Sequence, residues 1–202
     1  MSLRPDLIAL ADLVEPRSRV LDIGCGEGVL LAHLESEKHC DARGLEISHD
    51  GVQKGVERGL SIVQGNADTD LMNYPNDGFD QVILSQTLQA TQNPRRVLEE
   101  LLRIAPKVVI SVPNFGHWRI RLSLLLTGKM PVTPHLPARW YDTPNIHLCT
   151  ICDLAQLVGD VGARIEKLVV LDGVGRARIQ KNKSLSWANL TAAQAVFLIS
   201  RA

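Results

Sequence analysis

The chain lacks an excess of charge of either sign: 22 Lys and Arg balance 22 Asp and Glu over 202 residues. A neutral chain without a basic block argues against nucleic acid and against anionic membranes as partners. Long apolar runs are also missing. The strongest, near Leu122 to Leu126, is far too short to span a bilayer. The N-terminal segment carries Asp6, Asp12 and Glu15, and it lacks the apolar core of a signal peptide. Cysteine is scarce, with four residues. The expectation is therefore a reducing cytoplasm and free thiols. There is no internal repeat and no low-complexity tract. The length suits one domain, residues 1–202, with a substantial core.

What the sequence does have is an alternation of buried strands and amphipathic helices. Arg19 to Ile23, Ala42 to Ile47, Leu60 to Gln64, Phe79 to Ser85 and Lys107 to Val112 read as strands. Between them fall helices from Val29 to about Lys38, after Ser48, and from Asn93-Pro94 onward, where Asn caps and Pro takes the first turn. Pro5 opens a short leading helix. Short connections between such units imply a doubly wound α/β fold whose mostly parallel sheet is covered on both faces. The stretch from about 113 to 148 breaks the pattern. It is proline-rich and reads as an insertion with one short helix near Ile120 to Leu126. A helix capped by Thr150 follows, then strands at Arg164 to Leu171 and Gln194 to Ser200. The 22 residues between those two strands exceed a hairpin loop and are expected to carry structure of their own.

The most informative stretch is Val20-Leu21-Asp22-Ile23-Gly24-Cys25-Gly26-Glu27-Gly28. A strand that breaks on alternate glycines and restarts as a helix is how this class of fold builds a nucleotide site, because glycine lets backbone approach the ligand at a helix N-terminus. Glu46 follows Gly24 by 22 positions, at a strand end, where an acid can accept both ribose hydroxyls. Asp68 follows Glu46 by another 22, where a carboxylate can meet the exocyclic amine of an adenine. Each also has a plain reading: an architectural turn, a solvated strand end, a turn-forming aspartate. Asp22 either receives an ammonium group or organises the turn. A nicotinamide dinucleotide would explain Glu46 but leaves Asp68 without a role.

With G-L-E-I-S at 44–48, G-N-A-D at 65–68 and F-D-Q-V-I-L-S at 79–85, the glycine stretch resembles the class I S-adenosylmethionine-dependent methyltransferases. That resemblance implies a seven-stranded sheet with the last strand inserted antiparallel between strands five and six. It also implies S-adenosylmethionine or S-adenosylhomocysteine as the ligand. The implied binding residues are Asp22, Gly24, Cys25 and Gly26 in the turn, Glu46 and Ile47 after the second strand, Asn66, Ala67 and Asp68 after the third, and Ser85 and Gln86 after the fourth. A further likeness covers nearly the whole chain. H-W-R-I-R-L-S-L-L-L-T-G-K-M-P-V-T at 117–133 and W-Y-D-T-P-N-I-H-L-C-T at 140–150 are similar to the MetW family of methionine biosynthesis. That likeness implies work beside a homoserine O-acyltransferase, on the acetyl or the succinyl branch, and leaves a homodimer open.

A catalytic residue is not evident. Methyl transfer to oxygen or nitrogen often needs a base, yet Ser85-Gln86-Thr87-Leu88-Gln89-Ala90 holds no ionisable group. The nearest candidates, His117, His135 and His147, sit in the insertion, where a loop histidine is ordinarily a surface or capping residue. Tyr141 and Asp142 read as structural loop residues beside a cofactor mouth. Cys149 and Cys152, with His147, offer three ligands where structural zinc needs four, so no metal is expected. Arg119 and Arg121 among leucines, and Arg176, Arg178, Lys181 and Lys183 in the long loop, read either as a cap helix and solvated loop or as a docking surface. In the second case Trp118, Trp140 and Trp187 would be anchors.

Overall fold

The computed structural model describes residues 3–133, 136–180 and 184–201. In chain order the elements are α1 (Pro5–Asp12), β1 (Arg19–Ile23), α2 (Val29–Lys38), β2 (Asp41–Glu46), α3 (His49–Glu57), β3 (Ser61–Gln64), β4 (Gln81–Ser85) and α4 (Pro94–Ile104). There follow β5 (Lys107–Pro113), α5 (Trp118–Thr127), α6 (Ile151–Asp160), β6 (Ala163–Leu171), β7 (Ala177–Ile179), α7 (Leu185–Thr191) and β8 (Gln194–Arg201). The helix starts follow capping chemistry. Ser48 Oγ accepts the Gly51 N–H, Asn93 Oδ1 accepts the Arg96 N–H, and Thr150 and Asp153 form a reciprocal capping box.

One sheet runs in the order β3-β2-β1-β4-β5-β8-β6-β7. The first five strands in that order pair in parallel, and β8 lies antiparallel between β5 and β6. The expected doubly wound, mostly parallel sheet with its antiparallel last strand is present. The expected count of seven is corrected to eight. β7 folds back on β6 through a turn in which the Asp172 carboxylate accepts the Val174 and Arg176 N–H groups. Its three residues are all exposed, so no apolar alternation marks it in the sequence.

Strand residues alternate between two cores. Leu21, Ile23, Val82, Leu84, Val108 and Ile110 face α4, α6 and α7. Val20, Ile83, Val109 and Val196 face α1 and α2. Both faces are thereby covered, and the carboxyl ends of β1, β2, β3 and β4 are left side by side at one edge of the sheet, where open α/β folds bind ligands. No helix among the described residues is long and apolar enough to cross a membrane.

Candidate cofactor site

β1 delivers Asp22 and Ile23 to that edge and turns at once. The Gly24 N–H donates to the Leu45 carbonyl at 2.7 Å, which ties the turn to β2. Gly24 has φ +74°, and a Cβ there would sit 2.5 Å from Thr87 Oγ1, so both the backbone and the space demand glycine. Gly26, at φ +56°, would place a Cβ in open space; there the backbone conformation alone makes the demand. Cys25 packs across Gly44, where an added Cβ would lie 2.4 Å from its sulfur. Burial, with the charges of Asp22 and Glu46, pushes its thiol well above the usual range, so the group is a small apolar filler and no nucleophile.

Asp22 is 2% exposed. Its Oδ1 is buried without a hydrogen-bond partner, as is the Oγ of Ser85 at the end of β4. Burial, and then the nearby charge of Glu46, raises the Asp22 carboxyl from 3.8 to about 7. Both residues line a cleft of about 490 Å³ together with Gly24, Cys25, Gly26 and Gln86. A second hollow, of about 340 Å³, is lined by Ile47, Asn66, Ala67 and Asp68 and shares Gly24 with the first. The structure thus brings ten of the eleven sequence-expected residues into two hollows that meet at the glycine turn, and Glu46 lines neither.

Glu46 stands beside that meeting point. Its two carboxylate oxygens accept the N–H groups of Gly26 and Ser48, each at 2.8 Å. A carboxylate oxygen has two lone-pair directions, so each oxygen retains acceptor capacity. Asp68 is more heavily engaged. Its carboxylate accepts the Gln92 N–H at 2.9 and 3.0 Å and the Asn93 N–H at 3.2 Å, tying the third loop to the start of α4. The loop is fixed further by Asp70, which accepts from Asn66 N and Thr69 Oγ1 and is held below the usual carboxylate range by those bonds.

Several contributors escape the sequence reading. Leu3, Arg4 and Leu7 roof the larger cleft from α1 and the residues before it. Asp6, 4% exposed, accepts from the Gln86 side-chain amide at 2.8 Å and from Arg4 at 3.1 Å. The available signal is an acid one helical turn before Leu10, on the face that α1 buries. Gln86 has φ +51° and lines both the cleft behind the glycine turn and an apolar cavity of about 510 Å³ under Phe115, Leu136, Trp140 and Ile146.

The remaining sequence candidates lie apart from the glycine turn. His117 caps α5 through Nδ1, which accepts the Arg119 N–H. The His147 N–H donates to the Gln89 carbonyl. His135, Lys181 and Lys183 lie outside the described residues. Tyr141 is exposed and packs on Trp140. Cys149 and Cys152 are free thiols, and burial raises Cys149 to about 11. Among the described residues no cluster of three or more His, Cys, Asp or Glu is arranged to hold a metal.

The [4+2]-cyclase SpnF shares this fold, at TM-score 0.65 and 17% identity over 98% of this chain and 80% of that one. So does an S-adenosylmethionine-dependent methyltransferase of Thermotoga maritima, at TM-score 0.72 and 17% identity, covering 98% and 88% of the two chains. One architecture therefore carries more than one chemistry. In sequence, the bifunctional methionine biosynthesis protein MetXA/MetW of Rhodopirellula baltica is 30% identical over the whole of this chain, which spans 33% of that relative's length. The description of the methionine biosynthesis protein MetW family matches residues 4–199. With nearly its full length matched, the chain belongs to the MetW family.

Proposed function

We propose that this chain binds S-adenosylmethionine or S-adenosylhomocysteine and acts in the cytoplasm on a homoserine O-acyltransferase of methionine biosynthesis. The whole chain serves as one domain, with 113–148 as its insertion. The observation that carries the ligand is the pair of buried, unpartnered atoms, Asp22 Oδ1 and Ser85 Oγ, in the cleft behind the glycine turn. A buried polar atom without a partner costs roughly 1–3 kcal/mol. An ammonium group removes that cost at Asp22 and favours its charged form. Asp22 holds the ammonium, Ser85 and Gln86 line the methionine part, Glu46 takes the ribose hydroxyls, and Ile47, Asn66, Ala67 and Asp68 flank the adenine. The bound cofactor supplies an electrophilic methyl group or, untransferred, a report of how much methionine the pathway has made.

The partner is supported by the Rhodopirellula relative, a bifunctional methionine biosynthesis protein in which MetW shares one polypeptide with MetXA. The test has two parts. Calorimetry with S-adenosylhomocysteine should show binding that Asp22→Asn weakens at least tenfold; no heat at millimolar ligand sinks the cofactor. Acyltransferase turnover should change when this chain is added, and unchanged turnover together with no co-purification sinks the partner.

A second reading, methyl transfer to a small molecule, is favoured by the apolar cavity that shares Gln86 with the cleft. Among the described residues none that lines the cavity is ionisable, so a neutral acceptor that supplies its own nucleophile fits it. Labelled methyl transfer to a metabolite extract, lost in Glu46→Ala, distinguishes it.

A further inference from the structure

The longest acid-free stretch in the chain runs from α4 into the segment between β5 and α6. From 101 to 141 there is no aspartate or glutamate. Within it Arg119, Arg121, Lys129 and Arg139 are exposed. Among the described residues, none of these four cations has a carboxylate within ion-pair distance, although ion pairs are common on the rest of the surface. Three are held in place by other means. Arg119 lies over the Trp118 ring at 5.3 Å, Arg121 donates to the Gly116 carbonyl at 2.6 Å, and Arg139 donates to the Tyr141 hydroxyl at 2.7 Å. Rings and backbone orient these guanidinium groups while leaving their charge uncompensated.

The same segment is strongly apolar. Ile120 is the one buried residue of α5, while Leu125 is 81% exposed, Leu126 72% and Trp140 73%. Its hollows are joined. Val132 belongs both to the one beside Arg119 and Ile120 and to the one between Lys129 and Arg139. Met130 and Trp140 extend the latter toward the cavity that ends at Gln86. An apolar field of this extent, set with aromatic and arginine side chains, has the make-up of a binding hot spot.

We propose that this face is where the homoserine O-acyltransferase docks, through apolar side chains ringed by aspartate and glutamate. The inference rests on the partnership proposed above. Charge complementarity selects the occupant. A second copy meeting the face by twofold symmetry would bring this cationic field against itself, with Asp142 the segment's single acid against four cations. An acidic protein surface satisfies both the leucines and the cations, and association with it would be faster at low salt.

The experiment measures the affinity of the intact chain for its acyltransferase at two salt concentrations. It uses wild type, Leu125→Glu with Leu126→Glu, and Arg119→Glu with Lys129→Glu and Arg139→Glu. The leucine pair should lower affinity about a hundredfold or more. The charge reversals should lower it at least tenfold and remove the salt dependence. S-adenosylhomocysteine should bind all three proteins within about twofold of one another. Variants that bind the acyltransferase like wild type overturn the docking face and leave the partnership standing. Wild type that does not bind overturns the partnership, and the face with it. Two further outcomes assign the face elsewhere and also overturn the proposal. One is flotation of wild type, but not of the leucine variant, with phosphatidylserine vesicles. The other is a wild-type homodimer that the leucine variant abolishes.

Discussion

Helices α4 and α5 are nearly equal in length, at 11 and 10 residues, and both are rich in leucine and arginine. α4 buries Val97, Leu98, Leu101, Leu102 and Ile104 against the sheet. Its charges also find partners within the chain, Arg95 with Glu99 and Arg103 with Glu100. α5 buries Ile120, exposes its leucines, and carries arginines with no acid nearby. The leucines of α4 recur with the helical period and mark one stripe; those of α5 crowd all round the helix. A one-sided stripe is satisfied by the molecule's own core, whereas an all-round apolar helix at the surface is completed by something outside the chain. The cleft behind the glycine turn repeats the contrast in polar form. Most buried polar groups are paired internally, but Asp22 and Ser85 keep atoms unpaired where the cleft opens.

The comparison breaks most visibly on stability. Leu101→Ala in α4 should cost about 2–5 kcal/mol in urea unfolding, because it leaves a cavity under a fully buried helix face. Leu125→Ala in α5 should change the same measurement by less than about 0.5 kcal/mol. Equal losses at the two sites would mean that α5 is stabilised within the chain after all, and the contrast between the helices would collapse.

The next effect is read in binding and concerns Asp22. Its carboxyl titrates at about 7 in the folded chain, against 3.8 ordinarily. A ligand ammonium pairs with the ionised form only. Below pH 7 the affinity for S-adenosylhomocysteine should therefore fall about tenfold per pH unit, and above it level off. The unliganded protein should respond in the opposite sense. Between 3.8 and 7 the unfolded chain has released this proton and the folded chain has not, so stability declines as pH rises through that window. Asp22→Asn should flatten both profiles. A wild-type affinity independent of pH from 5 to 8 would remove Asp22 from the ligand.

Much of this was legible in the sequence because it depends on local order. Strands β1, β4 and β5 carry runs of buried apolar residues with clear stops, and the acid at the end of β2 falls at a spacing set by one βαβ unit. What the sequence hid depends on contacts between distant segments. Nothing near Gln86 indicates its left-handed backbone or its bond to Asp6, which lies 80 residues away. The Asp68 carboxylate reads from sequence as a free acceptor at a loop end; the structure engages it with the backbone of Gln92 and Asn93. β7 escaped because three exposed residues carry no pattern. The leucines of α5 were legible as apolar, but whether an apolar residue meets the core or the outside is decided by the rest of the fold.

The smallest expected effect tests whether an unpartnered group always marks a site. Gln89 is 2% exposed, and both atoms of its side-chain amide lack partners, as Asp22 Oδ1 does. Unlike Asp22, it lines neither hollow of the cofactor site. Its backbone carbonyl already anchors the segment before α6 by accepting the N–H groups of Ile146 and His147, and a change of side chain keeps those bonds. Gln89→Leu removes a buried amide that makes no hydrogen bond and keeps a similar volume. It should raise the stability of the unliganded protein by about 1 kcal/mol and leave S-adenosylhomocysteine affinity within about twofold. A loss of affinity instead would extend the site to Gln89. A loss of stability with affinity intact would mean that water satisfies the amide. In the expected case a buried orphan signals a ligand when it faces a cavity and is a simple cost when it does not, and that separates Asp22 from Gln89.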